Sequence, residues 1–520
     1  MNTKTSIVEL GTAAGREENE RARRAAFTMH RPANKPAASE RSLAKPQRSW
    51  LKLTLLSAAF LLTAALPRAD VISDWNKTSF DTMAANFPDH IQITRGMAMM
   101  HVAQFEAVNA VVGGYTPYLL TLSAPNASAE AAATQAAFVV MTNQVPGAVS
   151  PLRGALNRSL QTIPDGPAKA SGITLGQHVG EVVVLLRASD ASRITVPYTP
   201  TLAPGKWRPM PPNFTPAILP HWRYVTPWTM SRSSQFRSPP PPALNSDIYT
   251  RDFKETRDYG SATGSKRTPE QAELTKGFHN QPVELVDWMA RAAMALRPLT
   301  LIESARMFAL VSMVQADSFV GSLEACYSYN YWSVITAIRE ADTDGNDDTE
   351  KVATWSPLAN INYVPEYPNL WVANLGAGAE VLTSIFGDDL TITILSSGSP
   401  RPRTYARFSD VVTELGNTAV YSGFSFRNAC EAGEQRGRAM ARHAVENLLT
   451  PTPKLAGQLQ AGEFRLTTKT RGSLAQRIEY SGDLLNWIPL TNYLSTDFTL
   501  QILDRDAASA DHRFYRAALE

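Results

Sequence analysis

Glu366-Tyr367-Pro368-Asn369-Leu370-Trp371 is the stretch on which the reading of this 520-residue chain turns. Upstream of it lie Tyr331-Trp332, Thr336-Ala337-Ile338-Arg339, the turn-rich Asp342-Thr343-Asp344-Gly345-Asn346 and Trp355-Ser356-Pro357-Leu358. Downstream, a run of small residues from Ala373 through Ala379 leads to Val381-Leu382 and Phe386-Gly387, with helical spacing from Asn374 to Phe386.

Further out, the same period dominates. Between Arg95 and Val112, residues Met97, Met100, His101, Ala103, Phe105, Val108 and Val111 recur at helical spacing, and Gly113-Gly114 ends the run. Thr268 to Leu296, Leu299 to Tyr327, Tyr405 to Gly416 and Asn428 to Leu449 read as helices as well. The stretch from Pro197 to Pro242 is rich in proline, with four in a row at Pro239 to Pro242, and predicts extended loop. So long a loop inside a domain wraps the core or serves function. Pro451-Thr452-Pro453 ends the last helix and opens a linker over 451–460. After it the grammar changes to short alternating strands: Glu463 to Thr468, Gln476 to Tyr480, Trp487 to Leu490, Phe498 to Leu503 and Arg513 to Ala517. The expected fold is mainly α, a helical domain over 70–450 with a small all-β module over 461–520.

Composition bounds the classes. A chain this long exceeds one hydrophobic core. Hydrophobic content of 44%, 19% charge and a net charge of +2 describe a globular protein with no nucleic-acid footprint. Residues 1–48 are rich in Arg, Ala and Glu with no apolar period, and read as a disordered leader. Leu53 to Leu66 is apolar, short for a bilayer span, and preceded by Lys45, Arg48 and Lys52. It reads as a signal peptide over 49–69, cleaved near Ala69, so export to the periplasm, cell surface or medium is expected. No later stretch is apolar enough to span a membrane. The two cysteines, Cys326 and Cys430, form neither a disulfide framework nor a metal-site spacing, although a single bridge between them stays open in an exported protein.

The opening hexapeptide and its flanks resemble the second signature, Pro-Ser-Gly-His, of the bacterial vanadium-dependent haloperoxidases and their acid-phosphatase relatives in the phosphatidic-acid-phosphatase type 2 superfamily. The resemblance runs from about Asp74 to Leu449. It includes Arg95 through His101, Glu106 through Ala110, Thr226-Pro227-Trp228, Gln235-Phe236, Pro241 through Leu244 ahead of Ser246 and Tyr249, Arg267 through Gln271, and Ala305-Arg306. It implies a helical bundle holding vanadate or phosphate in a cationic cradle. The cradle is a Lys and an Arg in the first motif, Ser-Gly-His in the second, and an Arg and a His in the third. An oxyanion needs Arg and Lys forks and hydroxyl or amide donors. One His must bond the metal or phosphorus and another must act as acid or base.

Carried over position by position, Cys326 stands where the Lys belongs and Ser333 where the Arg belongs, followed by Val334 in place of proline. Asn369, Leu370 and Trp371 occupy the Ser-Gly-His positions. Ala419 and Ser425 take the places of the third-motif Arg and His. Cys326 to Ser333 and Ala419 to Ser425 keep the family spacing, and Trp371 carries no free lone pair. Losing three cationic partners removes roughly 5–9 kcal/mol of anion binding, about three to six decades of affinity. From Asn280 to Arg442 there is no histidine, and between Leu299 and Arg442 the only lysine is Lys351.

Other residues could carry chemistry of their own. Cys326 as a nucleophile lacks a nearby base, and Ser333 and Ser425 lack a visible His-Asp pair. Arg339 and Arg427 are the candidates for residual anion contact. Asp342, Asp344, Asn346, Asp347 and Asp348 resemble a calcium loop but lack its sixth-position glycine. His101 falls on an apolar helical face, as core histidines do. The C-terminal stretch around Ile478-Glu479-Tyr480-Ser481, Asn486-Trp487 and Arg513-Phe514-Tyr515-Arg516 resembles a β module recurrent at the ends of secreted bacterial proteins, which implies attachment or packing. The reading that results is a haloperoxidase-like pseudoenzyme with a binding or scaffold role, no vanadate or metal cofactor, no nucleic-acid partner, and homo-oligomer formation left open. Two rivals stand beside it: a vanadium-dependent peroxidase or phosphatase with residual or relocated activity, and a structural protein tethered to the surface through its C-terminal module.

Overall fold

The computed structural model describes residues 70–519 apart from 88, 212, 277–281, 360–362, 395–401, 453, 461–462, 470–474, 495–498 and 508–512. The segments read as leader (1–48) and signal peptide (49–69) lie outside the described residues.

The first helical group is α1 (Val71–Asn86), α2 (His90–Val112), α3 (Ala129–Gln144), α4 (Val149–Gln161) and α5 (Pro167–Leu186). Asp70, Asp89 and Ser128 start α1, α2 and α3 by accepting backbone N–H groups at their first turns. α3 is alanine-rich and packs against α5 so closely that a methyl group at Gly176 would collide with the Ala132 carbonyl. From Arg187 to Ser246 the chain makes one short 3₁₀ turn, Trp222–Tyr224, and otherwise runs as an irregular strap, as its prolines predict.

The second group is α6 (Asp247–Gly260), α7 (Pro269–Leu274), α8 (Pro282–Leu296), α9 (Leu301–Tyr329), α10 (Val334–Arg339), α11 (Leu370–Phe386), α12 (Phe408–Tyr421) and α13 (Arg427–Asn447). A two-stranded ribbon, β1 (Ile392–Ile394) with β2 (Arg403–Tyr405), lies between α11 and α12. The single helix expected over Thr268–Leu296 is two, because Pro282 lacks the N–H that a helix interior needs and takes the first position of α8 instead. α9 is the axis of the molecule. It packs on α1 and α2 of the first group and on α11 and α13 of the second. A helix contacted on all sides buries its polar side chains with its apolar ones, and every residue from Met307 to Tyr327, Gln315, Asp317 and Glu324 included, is buried.

The C-terminal strands form two antiparallel three-stranded sheets, β3 (Lys454–Gln460)–β4 (Glu463–Lys469)–β7 (Thr499–Asp504) and β6 (Ile488–Leu494)–β5 (Ala475–Ser481)–β8 (Phe514–Leu519). Most of the segment read as a linker is therefore strand β3, which pairs residue by residue with β4. α13 ends at Asn447, ahead of Pro451, and from Lys454 the backbone N–H groups are available for a ladder. Among the described residues no helix is long and apolar enough to cross a membrane.

Candidate functional site

The segments singled out in the sequence converge at one end of the second bundle. α9 ends at Asn330, whose left-handed backbone (φ 54°) turns the chain back toward α10. Glu366 N donates to the Tyr331 carbonyl at 3.1 Å, which ties the hexapeptide to that turn. Cys326 is fully buried and its Sγ donates to the Pro368 carbonyl at 3.4 Å. Asn369 N donates to the Ala429 carbonyl at 2.9 Å, and this joins the hexapeptide to the first turn of α13. Ser425 N and Phe424 N donate to the Ala419 carbonyl. Cys326, Asn369, Ala419 and Ser425 are thus gathered by these bonds, and Leu370 is buried in the core between them in sequence. Ser333 begins α10, its hydroxyl against Met210 Sδ and 3.1 Å from Thr336 Oγ1.

Each of these side chains is already satisfied by its own chain. The Asn369 Oδ1 accepts from Trp371 N at 3.0 Å and Val372 N at 2.9 Å, and so caps α11. Ser and Asn are both strong N-caps, so the helix start survives the exchange of one for the other. Asn369→Ser should change stability by less than about 0.5 kcal/mol, while Asn369→Ala should cost about 1–2 kcal/mol; denaturant melts of the two variants check this. The Ser425 hydroxyl donates to Glu366 Oε1, and Phe426 N donates to the same oxygen at 3.0 Å. Burial pushes the Glu366 carboxyl up to about 8. It also raises the Cys326 thiol, and pushes the Cys430 thiol up to about 12. Both cysteines are free and buried, which answers the open question of a bridge: there is none. Neither thiol is poised as a nucleophile, since reactive cysteines need a lowered pKa.

Trp371 follows Leu370 in the first turn of α11. Its ring is half-buried and stands edge-on to Phe319 at 5.3 Å and to His90 at 6.1 Å. Phe319 lies two helical turns before Cys326 on α9, so the indole covers the flank facing α2 rather than the Cys326–Ser425 cluster. The reason is direction: side chains in the first turn of α11 are set by the helix axis, and that axis packs toward α9.

The remaining candidates have structural employment. Arg427 holds Glu255 through Nη2 at 2.7 Å and Nε at 3.3 Å, and Asn417 through Nη1 at 2.7 Å. Arg339 Nε donates to the Trp355 carbonyl at 2.7 Å. Asp344 turns inward and accepts from Asn346 N at 2.8 Å and Thr349 Oγ1 at 2.8 Å, which makes the acidic loop a self-bonded turn. No group of acidic, His or Cys residues suited to a metal ion occurs among the described residues. His101 is fully buried, stacked on Phe308 at 5.0 Å, and burial pushes it down to about 3.

Sequence reasoning missed three groups. Glu366 stood in the quoted stretch with no role assigned. His90 is remote in sequence from Trp371 and is brought beside it only by the packing of α2. Arg436 is 3% exposed on α13, on a buried face that also holds Ala429, Gly433, Gly437 and Met440, and no pattern flagged it.

Residues 306–451, from α9 to the end of α13, match the family model described as the VCPO second helical-bundle domain. This part of the second helical group is thereby similar to the haloperoxidase family. Similar solved structures agree in fold. The structure of the first bacterial vanadium-dependent iodoperoxidase superposes with a TM-score of 0.63 at 20% identity, covering 73% of this chain and 97% of that one. An apo-type bacterial vanadium-dependent chloroperoxidase gives 0.56 at 15% identity, over 68% of this chain and 92% of that one. A holo-type bacterial vanadium-dependent chloroperoxidase gives 0.56 at 14% identity, over 74% and 93%. No curated protein matches the sequence. The haloperoxidase-like fold is therefore shared over the helical part, at identities where only architecture carries over.

Proposed function

We propose that this haloperoxidase-like chain is a non-catalytic relative, exported by its N-terminal segment, that keeps the helical scaffold for a binding or assembly role and has given up the vanadate or phosphate site. The observation that carries the reading is the chemistry of the seven matched positions, Cys326, Ser333, Asn369, Leu370, Trp371, Ala419 and Ser425, none of which bears a cation or an imidazole. The acidic side chain in contact with them is Glu366, a carboxyl that already takes the Ser425 hydroxyl and the Phe426 amide. A vanadate oxyanion would meet that carboxyl where it needs guanidinium forks, and the residues present do not fit it. Arg427 supports the same reading because its donors are engaged by Glu255 and Asn417, and Arg339 gives its Nε to the Trp355 carbonyl.

The test is direct. Titration calorimetry with orthovanadate and with inorganic phosphate should give no saturable heat, and bromide or iodide with peroxide should give no oxidised halogen above the protein-free rate. A micromolar vanadate constant, or turnover removed by Glu366→Gln or His90→Ala, would instead favour relocated activity.

A further inference from the structure

The strap from Arg187 to Ser246 is opposite in charge to the molecule it crosses. From Asp70 to Glu520 acidic residues outnumber Lys and Arg by 43 to 38, yet the strap carries seven Arg and Lys against one acid, Asp190. Asp190 is already held by Arg95 Nε at 2.7 Å. Of the seven cations, Arg187 is buried, and Arg208 and Arg237 are paired with Glu340 and Glu324. Arg193, Lys206, Arg223 and Arg232 form no ion pair among the described residues.

Three of these four cations are drawn to one end of α9. The Ser192 carbonyl lies 3.2 Å from His221 Nε2, which sets Arg193 beside the turn Trp222–Tyr224 that holds Arg223. Trp222 N donates to the Leu219 carbonyl at 2.9 Å, and the neighbouring Ile218 carbonyl accepts from Tyr327 OH near the end of α9. Lys206 Nζ donates to the Tyr329 carbonyl at 3.1 Å. Asp89, on the neighbouring α2, is half-buried and accepts from Ile91 N. Between its anchors the strap throws out two loops. One, held by Tyr198 OH on Asn330 and by the Gly205 carbonyl on Trp332 N, carries Leu202, which is 79% exposed. The other, ahead of Ile218, carries Phe214, which is 61% exposed and sits at φ 49°, a region that an aromatic residue rarely enters. Arg223 lies over the ring of Tyr224 at 4.8 Å, and Tyr224 is exposed as well.

Apolar tips in water and a strained aromatic are costs that the isolated chain does not recover. Cations beside exposed apolar groups suit the boundary of a bilayer, where the apolar part enters the acyl layer and the charge stays with the headgroups. Cations left unpaired by the protein find counter-charges on anionic lipid. A protein interface gathers its anchors in one packed centre, whereas Leu202 and Phe214 stand on separate loops, as insertion into a lipid layer allows.

We infer that the strap docks this protein on an anionic lipid surface, with Leu202, Phe214 and Tyr224 entering the interface and Arg193, Lys206 and Arg223 meeting the lipid phosphates. The contact is peripheral and uses none of the seven matched positions, so it stands whether or not vanadate binds.

The experiment uses the full chain carrying Leu202→Cys or Phe214→Cys, labelled with a polarity-sensitive fluorophore; Cys326 and Cys430 are buried and stay unlabelled in the folded protein. A local reporter separates the strap from residues 1–69, whose basic and apolar stretches would meet lipid on their own account. Vesicles of phosphatidylcholine with phosphatidylglycerol should shift the emission to the blue at both positions, and vesicles of phosphatidylcholine alone should not. The same label at Leu485→Cys, on the exposed loop between β5 and β6, should stay unchanged with either. Salt at about 0.5 M should weaken the response by screening. Arg193→Ala together with Arg223→Ala should raise the lipid concentration at half-shift roughly 25-fold, about fivefold for each cation removed. Should that pair melt early, Leu202→Ser read by the Phe214→Cys reporter should weaken the response roughly tenfold or more. No shift at either loop, an equal shift with phosphatidylcholine alone or at Leu485→Cys, or a matching shift with polyglutamate and no lipid would overturn the assignment, the last pointing to an acidic protein partner.

Discussion

Gly437→Ala should lower the stability of the chain by about 3 kcal/mol or more, the largest loss expected from adding a single methyl group. α11 and α13 approach backbone to backbone, and a Cβ on Gly437 would fall far inside contact with the Ala373 carbonyl and 3.0 Å from Ala377 N. Gly433, one turn earlier, meets the Asn369 carbonyl in the same way. These neighbours are main-chain atoms of a helix and cannot rotate aside, so the two helices must separate. Overpacked cores typically lose 1–3 kcal/mol, and clashes with rigid backbone lie at or above the top of that range. Separation would also pull Asn369 from Ala429 and loosen the turn that carries the hexapeptide. The check is a pair of denaturant melts with Gly147→Ala as control, since nothing lies within 4 Å of a Cβ there. A loss below about 1 kcal/mol would mean that α11 and α13 pack less closely than described.

Glu366→Gln should stabilise the protein at alkaline pH and leave it unchanged near pH 4.5. Burial raises the carboxyl from its ordinary 4.5 to about 8 in the folded chain, although Ser425 and Phe426 N partly favour the charged form. Between those two values the folded state holds a proton that the unfolded state has released. Stability is therefore fully present below about pH 4.5 and declines by about 1.4 kcal/mol per pH unit until the folded carboxyl ionises. Over the whole window the loss amounts to roughly 3–5 kcal/mol. Glutamine keeps an acceptor oxygen for Ser425 and Phe426 N and does not ionise, so the difference between variant and wild type should grow steadily from pH 5 to pH 8. Taking that difference matters because Glu284, pushed up to about 7, and Asp287, pushed up to about 6, titrate in the same window in both proteins. A difference that stays flat with pH would show that Glu366 is ionised when folded, and hence that solvent or a cation reaches the Cys326–Ser425 cluster.

The helical architecture was legible because it is written in local periodicity. Met97 to Val111 and Leu299 to Tyr327 repeat at the helical period, and both became the long buried helices α2 and α9. The proline-rich stretch from Pro197 to Pro242 forbade regular structure by covalent geometry alone, and it is the strap. The boundaries were less legible. Helical spacing from Asn374 missed the first turn of α11, which exists because Asn369 caps it through a side-chain bond that periodicity does not register. Strand β3 was hidden under a linker reading for a similar reason: its order comes from a ladder with β4, not from its own residues.

The matched positions divide in the same way. Sequence alone determined which residue types stand at Cys326, Ser333, Asn369, Leu370, Trp371, Ala419 and Ser425, and hence that they carry no cation and no imidazole, because side-chain chemistry is fixed by identity. Where those side chains point was decided only by the tertiary structure. The axis of α11 turns Trp371 toward Phe319 and His90, and the meeting of three segments buries Glu366 against Ser425. Those outcomes depend on contacts between residues far apart in the chain, and on the desolvation those contacts impose, which no local pattern of residues encodes.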